Sequence, residues 1–470
     1  MDNKKVGVII GAGPAGMAAA ETLSHTNLGF TVLEASDHTG GIAHTVKHNG
    51  FCFDLGVHRF FTKNKEIERY VNNLLGDDLA LVDRSSVILL RGKFFDYPLR
   101  PLNAVFGLGP YTAMVIIYNY LLERFKFNRN TPRSLEDWVI SQFGKTLYGL
   151  FFKTFTEKVW GIPCNRISAE WAVQRIKGLS LRTAIVDALW ENRTKDTSSL
   201  IKHFHYPKKG IGVICERLSK SIQEPNRLLF DTPVRELYHD GKRITSVGYS
   251  GKSGGGKIAT DFVISSMPIT DLITALRPAP LEEILEASRR LKYRSIVFLA
   301  VMFDMPFVTN HTWVYVHEPG ISFGRFHEPK NCSIEMAPEN KTCLVFEHFC
   351  NEGDSIWNIP AKELLEKTKR DFEKTRISPG ATERIIDFKA VPVAKTYPSY
   401  EIGFSRHLLK IRDYLRRFEN LQLVGRYGTY KYNNLDHSLE TGIKGAQNIL
   451  GANHDTFEVN VEAEYHEEIR

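Results

Sequence analysis

An α/β fold opening on a strand–helix–strand unit is what this sequence predicts, and three observations carry the prediction. Val6 to Ile10 is an apolar run, Met17 to Leu23 is rich in helix formers, and Phe30 to Leu33 is apolar again. The segment Gly11-Ala-Gly13-Pro14-Ala15-Gly16 joins the first run to the helix, and Glu34 closes the second run 23 residues after Gly11. From Leu102 to about Leu200 the pattern turns helical, and the middle third is strand-rich. Such an opening is Rossmann-like, and 470 residues accommodate two or three packed regions.

The glycine spacing has a mechanical reason. Gly11 permits a tight turn, Gly13 lets backbone N–H groups approach a pyrophosphate at the positive end of the helix, and Gly16 lets helix and strand pack closely. Glu34 can accept hydrogen bonds from an adenosine ribose, and its charge would repel a 2′-phosphate. Further on, Ser134-Leu-Glu-Asp-Trp138 resembles a helix start, and Leu147, Phe151 and Phe155 recur at four-residue spacing. Strands are expected over Ser295 to Met302, His311 to Val316 and Cys343 to Phe349. Gly251 to Lys257 reads as a hairpin turn; it contains Gly-Lys but lacks the phosphate-loop order. A last helix is expected at about Leu439 to Leu450, and the stretch from His454, with five glutamates, reads as a solvated acidic end.

Composition excludes several classes. Hydrophobic residues at 43% and charged residues at 24% rule out wholesale disorder. A net charge of +7 over this length is too mild for a nucleic-acid partner. The six cysteines show no paired spacing, which fits a reducing cytoplasm. No signal peptide is read at the N-terminus. The membrane-like stretch Ala104 to Leu122 is interrupted by Gly107, Gly109-Pro110 and Asn119, so a buried or partly interfacial helix is expected rather than a span. His317, His327 and His348 lack metal-ligand spacing and no metal site is predicted; Asp436-His437 lacks a nucleophile partner for a catalytic dyad.

Thr39-Gly40-Gly41-Ile42-Ala43 resembles the second glycine motif of flavoproteins of the amine oxidase and protoporphyrinogen oxidase group. Asp231-Thr-Pro-Val234-Arg resembles their adenine-side strand, and Thr260 to Pro268, which contains Ser266, their returning strand. That resemblance implies FAD. It also implies a discontinuous cofactor domain (1–95, 205–270 and 420–453), an inserted helical substrate domain (96–204), a mainly antiparallel β-sheet substrate domain (271–419) and an acidic tail (454–470).

Within that group the chain resembles the UDP-galactopyranose mutases, especially the larger eukaryotic branch, from the N-terminus to about residue 450. The segments carrying the resemblance are Phe53-Asp-Leu-Gly56-Val-His58, Lys158-Val-Trp160-Gly-Ile-Pro163, Trp171-Ala-Val-Gln-Arg175 and Gly425-Arg426-Tyr-Gly-Thr-Tyr-Lys-Tyr432, followed by Asn434-Leu435-Asp436-His437-Ser438. In that family, reduced flavin N5 attacks the anomeric carbon, the nucleoside diphosphate leaves, and the sugar recloses in the other ring form without net redox. The resemblance implies Arg175 and Arg325 as a diphosphate clamp assisted by Tyr315, Tyr397 and Tyr432, an arrangement suited to charge developing on a leaving group. It implies Phe151, Trp160 and Trp313 around the sugar, and Asn434 between flavin and substrate. His58, Gly425, Arg426, Leu435 and Ser438 fall on the cofactor side. Taken alone, aromatic residues on helices such as Phe151 and Trp160 are more often core.

Three features depart from the mutase pattern. Val57 stands where the family has Gly or Pro before its histidine. Tyr97 keeps a face for stacking on a base, but Arg100 offers donors only where the family has glutamine. The family's diphosphate-contacting asparagines do not align in Thr194 to His203; Lys202, His203, Lys208 and Lys209, in or near that segment, are candidate substitutes. The expected partner is therefore a nucleoside diphosphate sugar of open base and sugar identity, with NAD(P)H as an external reductant, a role in cell-surface polysaccharide synthesis, and peripheral membrane contact as a further option. The rivals are an oxidase or desaturase of the same group and a non-catalytic flavin-binding protein.

Overall fold

In the computed structural model, residues 5–97, 107–126, 132–171, 203–252 and 254–460 are described. Strands Leu421–Leu423, Phe262–Ser265, Val6–Ile10, Gly29–Leu33 and Arg227–Leu229 lie side by side, all parallel, in that order. Val8, Ile9, Val32, Val263 and Ile264 are fully buried, the continuous apolar pattern of strands covered on both faces. Helix Pro14–Ser24 follows the first strand and is buried along most of its length through Ala15, Met17, Ala18, Ala19, Ala20 and Leu23. Small side chains are required there because helix Leu435–Ile449 crosses it closely: a Cβ on Gly442 would stand 2.1 Å from the Ala15 carbonyl oxygen. This last helix starts at Leu435, four residues before the expected start.

A second sheet of seven strands runs Ile385–Ser399, Lys292–Phe303, Thr342–Cys350, Arg325–His327, Trp313–Val316, Ser86–Leu90 and Lys93–Asp96. Its pairings are antiparallel except that of Trp313–Val316 with Ser86–Leu90, which is parallel. The last two strands of this order, Ser86–Leu90 and the edge strand Lys93–Asp96, come from residues the sequence reading grouped, all but Asp96, with the cofactor segment 1–95. They belong to this sheet because Val87 and Leu89 alternate toward its apolar core with Val314 and Val316. Ile244–Gly251 and Gly254–Ala259 pair antiparallel, so Gly251 and Gly254 to Lys257, expected as the turn, are strand residues, and the expected second strand Ile258 to Ser265 is divided between this pair and the parallel sheet.

Helices Pro110–Lys126, Leu135–Leu147 and Thr154–Trp160 pack on one another and, through the last, against the seven-stranded sheet, the last two being joined by a π-helical turn, Tyr148–Lys153. Ser134 starts the second: its Oγ accepts from the Asp137 N–H at 3.1 Å, and Asp137 Oδ2 accepts from the Ser134 N–H at 3.2 Å, a reciprocal cap. No helix among the described residues is long and apolar enough to cross a membrane. All six cysteines are free thiols.

Residues 455–459 correct the expected solvated end. Thr456 and Val459 are buried, Asp455 pairs with Arg412 and Arg416, and the Lys431 ammonium donates to the Phe457 and Val459 carbonyls. The rest of the expected acidic end, residues 461–470, lies outside the described residues.

Candidate active site

Ile10, Leu33 and Ser265 end neighbouring parallel strands, the edge of an open sheet where ligands bind. Gly13 begins helix Pro14–Ser24 from an extended backbone, and Asn434 begins helix Leu435–Ile449, its N–H donating to His437 Nδ1 at 3.3 Å. Both helix starts border a cavity of about 540 Å³, through Gly13, Pro14 and Ala15 on one side and Asn434, Leu435 and Ser438 on the other. Two positive helix ends in one cavity favour an anionic ligand. Glu34 lines the same cavity; its Oε2 accepts from the Ala12 N–H at 2.6 Å and its Oε1 from the Ser36 N–H at 2.9 Å. Gly11, Gly41, Ile42, Ala43, His58, Val234, Ser266, Gly425 and Arg426 complete the set of expected cofactor residues along its wall. Gly16 and Gly40 do not line it. Gly16 acts one layer behind, where a Cβ would stand 1.9 Å from the Gly11 carbonyl oxygen. The volume lies within the range of about 300–1,000 Å³ usual for small-molecule and cofactor sites. Carboxylate, amide-rich helix starts and the apolar wall of Val234, Met267 and Ala275 fit a dinucleotide.

A second, smaller cavity of about 170 Å³ adjoins the first, sharing Ile42, His58, Arg426, Asn434 and Leu435 with it. Tyr97, Trp313, Tyr315, Arg325, Tyr397 and Tyr432 line it together with Arg59. Three arginines and no carboxylate face this space among the described residues.

Arg325 stands in strand Arg325–His327, directly opposite Glu347 of the neighbouring strand. Its Nε donates to Glu347 Oε1 at 2.9 Å and its Nη2 to Oε2 at 2.7 Å. Burial works against the guanidinium charge; Glu347, with Tyr397 and Tyr315, more than restores it, so the pKa lies well above the ordinary arginine value. Arg426 is held by the Asn433 carbonyl (Nε 2.9 Å, Nη2 2.7 Å) and the Thr396 carbonyl (Nη1 3.3 Å). Its guanidinium lies 4.9 Å from the Tyr432 ring centre and 5.4 Å from that of Tyr397. Those two rings are stacked 5.0 Å apart. Burial, then the neighbouring Tyr432, pushes the Tyr397 phenol pKa up, so it stays a proton donor. His58, between the cavities, has its pKa lowered to about 4 by burial and by Arg426. It is neutral near pH 7, with Nε2 3.0 Å from the Leu55 carbonyl. The buried Trp313 indole N–H has no hydrogen-bond partner among the described residues and is available to a ligand in the cavity it lines.

Phe151 and Trp160 do not line the second cavity. Phe151 packs edge-on against Phe95, and Trp160 lies in the core against Trp171, Tyr397 and Tyr400, so both support the walls from behind. Arg175, Arg100 and Lys202 lie outside the described residues. Neither His203, Lys208 nor Lys209 reaches either cavity; His203 pairs with Asp83 at 2.5 Å. His437 serves as the acceptor at the helix start, which removes the dyad reading of Asp436-His437. His317, His327 and His348 are buried side chains. Sequence reasoning missed Glu347 and Arg59. A lone carboxylate inside Cys343 to Cys350, otherwise nearly all apolar, was the available signal for the first, since a buried charge needs a partner.

A parallel sheet with two helix starts on one cavity, and a cationic, tyrosine-rich cavity beside it, define an enzyme that seats a dinucleotide cofactor against its substrate. The chain belongs to the flavin-containing amine oxidoreductases, whose family model matches residues 14–450, and its cofactor is accordingly a flavin. Its fold is similar to that of reduced UDP-galactopyranose mutase, with a TM-score of 0.83, 21% identity and coverage of 98% of both chains. A probable UDP-galactopyranose mutase of Klebsiella pneumoniae is 27% identical over 176 residues, which are 36% of this chain and 44% of that protein. Chloroplastic protoporphyrinogen oxidase 1 of Arabidopsis thaliana is 21% identical over 462 residues, 89% of this chain and 83% of that one.

Proposed function

We propose that the chain is an FAD-dependent mutase interconverting the pyranose and furanose forms of a nucleoside diphosphate sugar. The observation that carries this reading is the second cavity, where Arg59, Arg325 and Arg426 meet four tyrosines with no carboxylate on the wall, directly against the cofactor cavity. Such a wall suits a twice-phosphorylated leaving group that departs and must be retained for return. It opposes an amine: the aromatic faces of Tyr397 and Tyr432 are already taken by Arg426, and an ammonium would meet like charge.

Reduced flavin, when bound, supplies a nucleophilic N5 for the anomeric carbon. The chain's residues supply the rest. Arg325, held rigid by Glu347, takes the diphosphate charge, with Arg175 as its second arm. The Tyr315, Tyr397 and Tyr432 hydroxyls donate to phosphate oxygens, and Tyr97 stacks on the base. Asn434 and neutral His58 separate the two cavities, so no charged imidazole competes with the developing positive charge on the sugar. In this reading FAD is bound within residues 1–85, 205–270 and 420–453, and the substrate is held by 86–204 and 271–419 together with Arg59 and Tyr432.

The test reduces the purified flavoprotein with dithionite or NAD(P)H, supplies UDP-galactopyranose and a panel of other nucleoside diphosphate sugars, and follows ring form by NMR. Equilibration without stoichiometric use of reductant is expected for one of them. Peroxide formation on an apolar or amine substrate, with no spectral response of the flavin to any nucleoside diphosphate, would instead assign the oxidase chemistry of the protoporphyrinogen oxidase relatives.

A further inference from the structure

We infer that helix Pro110–Lys126 is a docking face for an anionic lipid surface. One side of this helix is ordinary core: Ile116 and Tyr120 are buried, and Asn119 Nδ2 donates to Thr146 Oγ1 of the next helix at 2.8 Å. The other side is apolar and open. From Tyr111 to Leu122 every exposed position is an apolar or tyrosine side chain, namely Tyr111, Met114, Ile117, Tyr118, Leu121 and Leu122, each between 37% and 76% exposed. A helix lying on a water-facing surface normally places charges there, and a contiguous apolar stripe marks a contact surface.

Charge identifies the contact. Lys93, exposed at the sheet edge, donates its ammonium to the Gly107 carbonyl at 3.0 Å, so a cation stands just ahead of the helix, with exposed Arg91 two residues before it. Just beyond the other end stands exposed Arg133, and Glu123 is the one acidic residue in the helix sequence. Cations at both ends of an uncharged, Tyr-bearing stripe match a helix lying flat in a headgroup layer, with the stripe toward the acyl chains and the cations on lipid phosphates. A second copy fits less well, because a two-fold antiparallel pair would set the Lys93 end of one helix against the Arg133 end of the other, cation facing cation. No helix among the described residues is long and apolar enough to cross a membrane, and the one-sided stripe suits a position in the plane of the surface.

The experiment is co-sedimentation of the full-length flavin-bound protein with vesicles of equimolar phosphatidylglycerol and phosphatidylcholine, beside vesicles of phosphatidylcholine alone. Binding to the anionic vesicles is expected, weakening as salt is raised. A triple Met114→Ser, Tyr118→Ser, Leu121→Ser variant should lose at least about ten-fold in vesicle affinity with flavin absorbance and melting temperature retained. An Arg91→Glu, Arg133→Glu variant, which leaves the stripe intact, should lose the preference for anionic vesicles. Equal binding to both vesicle types, or binding unchanged in the triple variant, overturns the inference. So does a dimer, seen by light scattering, that the triple variant dissociates, since the face would then belong to a second copy.

Discussion

Arg325 and Glu347 face each other across adjacent strands and exchange two hydrogen bonds, with the arginine side chain 14% exposed and the carboxylate fully buried. The pair fixes the guanidinium plane at the wall of the second cavity, leaving its remaining edge for a ligand. It also means that neither partner can be removed alone without leaving a buried charge. Glu347→Gln is expected to cost about 3–5 kcal/mol of stability, and an Arg325→Met, Glu347→Leu double replacement to recover most of it while remaining inactive. Denaturant melts of the three proteins check this; equal stability of wild type and Glu347→Gln would remove the pairing from the account.

For turnover, Arg325→Lys is a cleaner probe than Arg325→Ala, because it keeps a cation beside Glu347 and loses only the planar fork. Ring interconversion should fall by about 100-fold or more with flavin still bound. Single-turnover assays on the reduced protein measure it, and undiminished turnover would take Arg325 out of the clamp.

At the cofactor cavity, Gly16→Ala puts a methyl group 1.9 Å from the Gly11 carbonyl oxygen, a distance no side chain tolerates. The variant should purify without colour. Glu34→Ala, which frees the Ala12 N–H but creates no clash, should fold and bind flavin at least about ten-fold more weakly. Absorbance at flavin wavelengths during titration separates the two outcomes.

His327 supplies a test in pH. Burial first, then Arg325 and His58, lowers its pKa to about 3. Because the folded value lies below the unfolded one of 6.5, the unfolded chain binds a proton that the folded chain refuses between those limits. The contribution is complete above pH 6.5 and is lost as pH falls. Relative to His327→Phe, the wild type should therefore lose about 1.4 kcal/mol of stability for each pH unit below that value. Parallel curves for the two proteins from pH 7 to pH 5 would contradict the assignment.

How far the sequence reveals this molecule depends on how local each feature is. The turn around Gly11, Gly13 and Gly16 and the acceptor Glu34 are legible because spacing within one strand–helix–strand unit dictates their geometry. The helix start at Ser134 is legible for the same reason. Glu347 is not, because its partner is set by strand register, and nothing near it in the chain names Arg325. The membership of strands 86–90 and 93–96 in the large sheet escapes for a related cause: Ser86–Leu90 pairs with Trp313–Val316, more than 200 residues away. Phe151 and Trp160 show a third limit. A buried aromatic that walls a substrate and one that packs behind the wall have the same sequence signature, and only the cavity's position separates them.

The parallel sheet's dependence on Leu421–Leu423, and the cofactor cavity's dependence on Gly425 to Ser438, bear on the order of events during synthesis. Gly11 leaves the ribosome 423 residues before Asn434, an interval of about 20 to 85 seconds at translation rates of roughly 5–20 residues per second. Until then the nascent chain holds half a nest for its coenzyme and must keep the apolar flank of Val6–Ile10 from wrong partners. Uptake of the yellow prosthetic group thereby waits on helix Leu435–Ile449, and a chain stopped short of it has only one side of the cavity built.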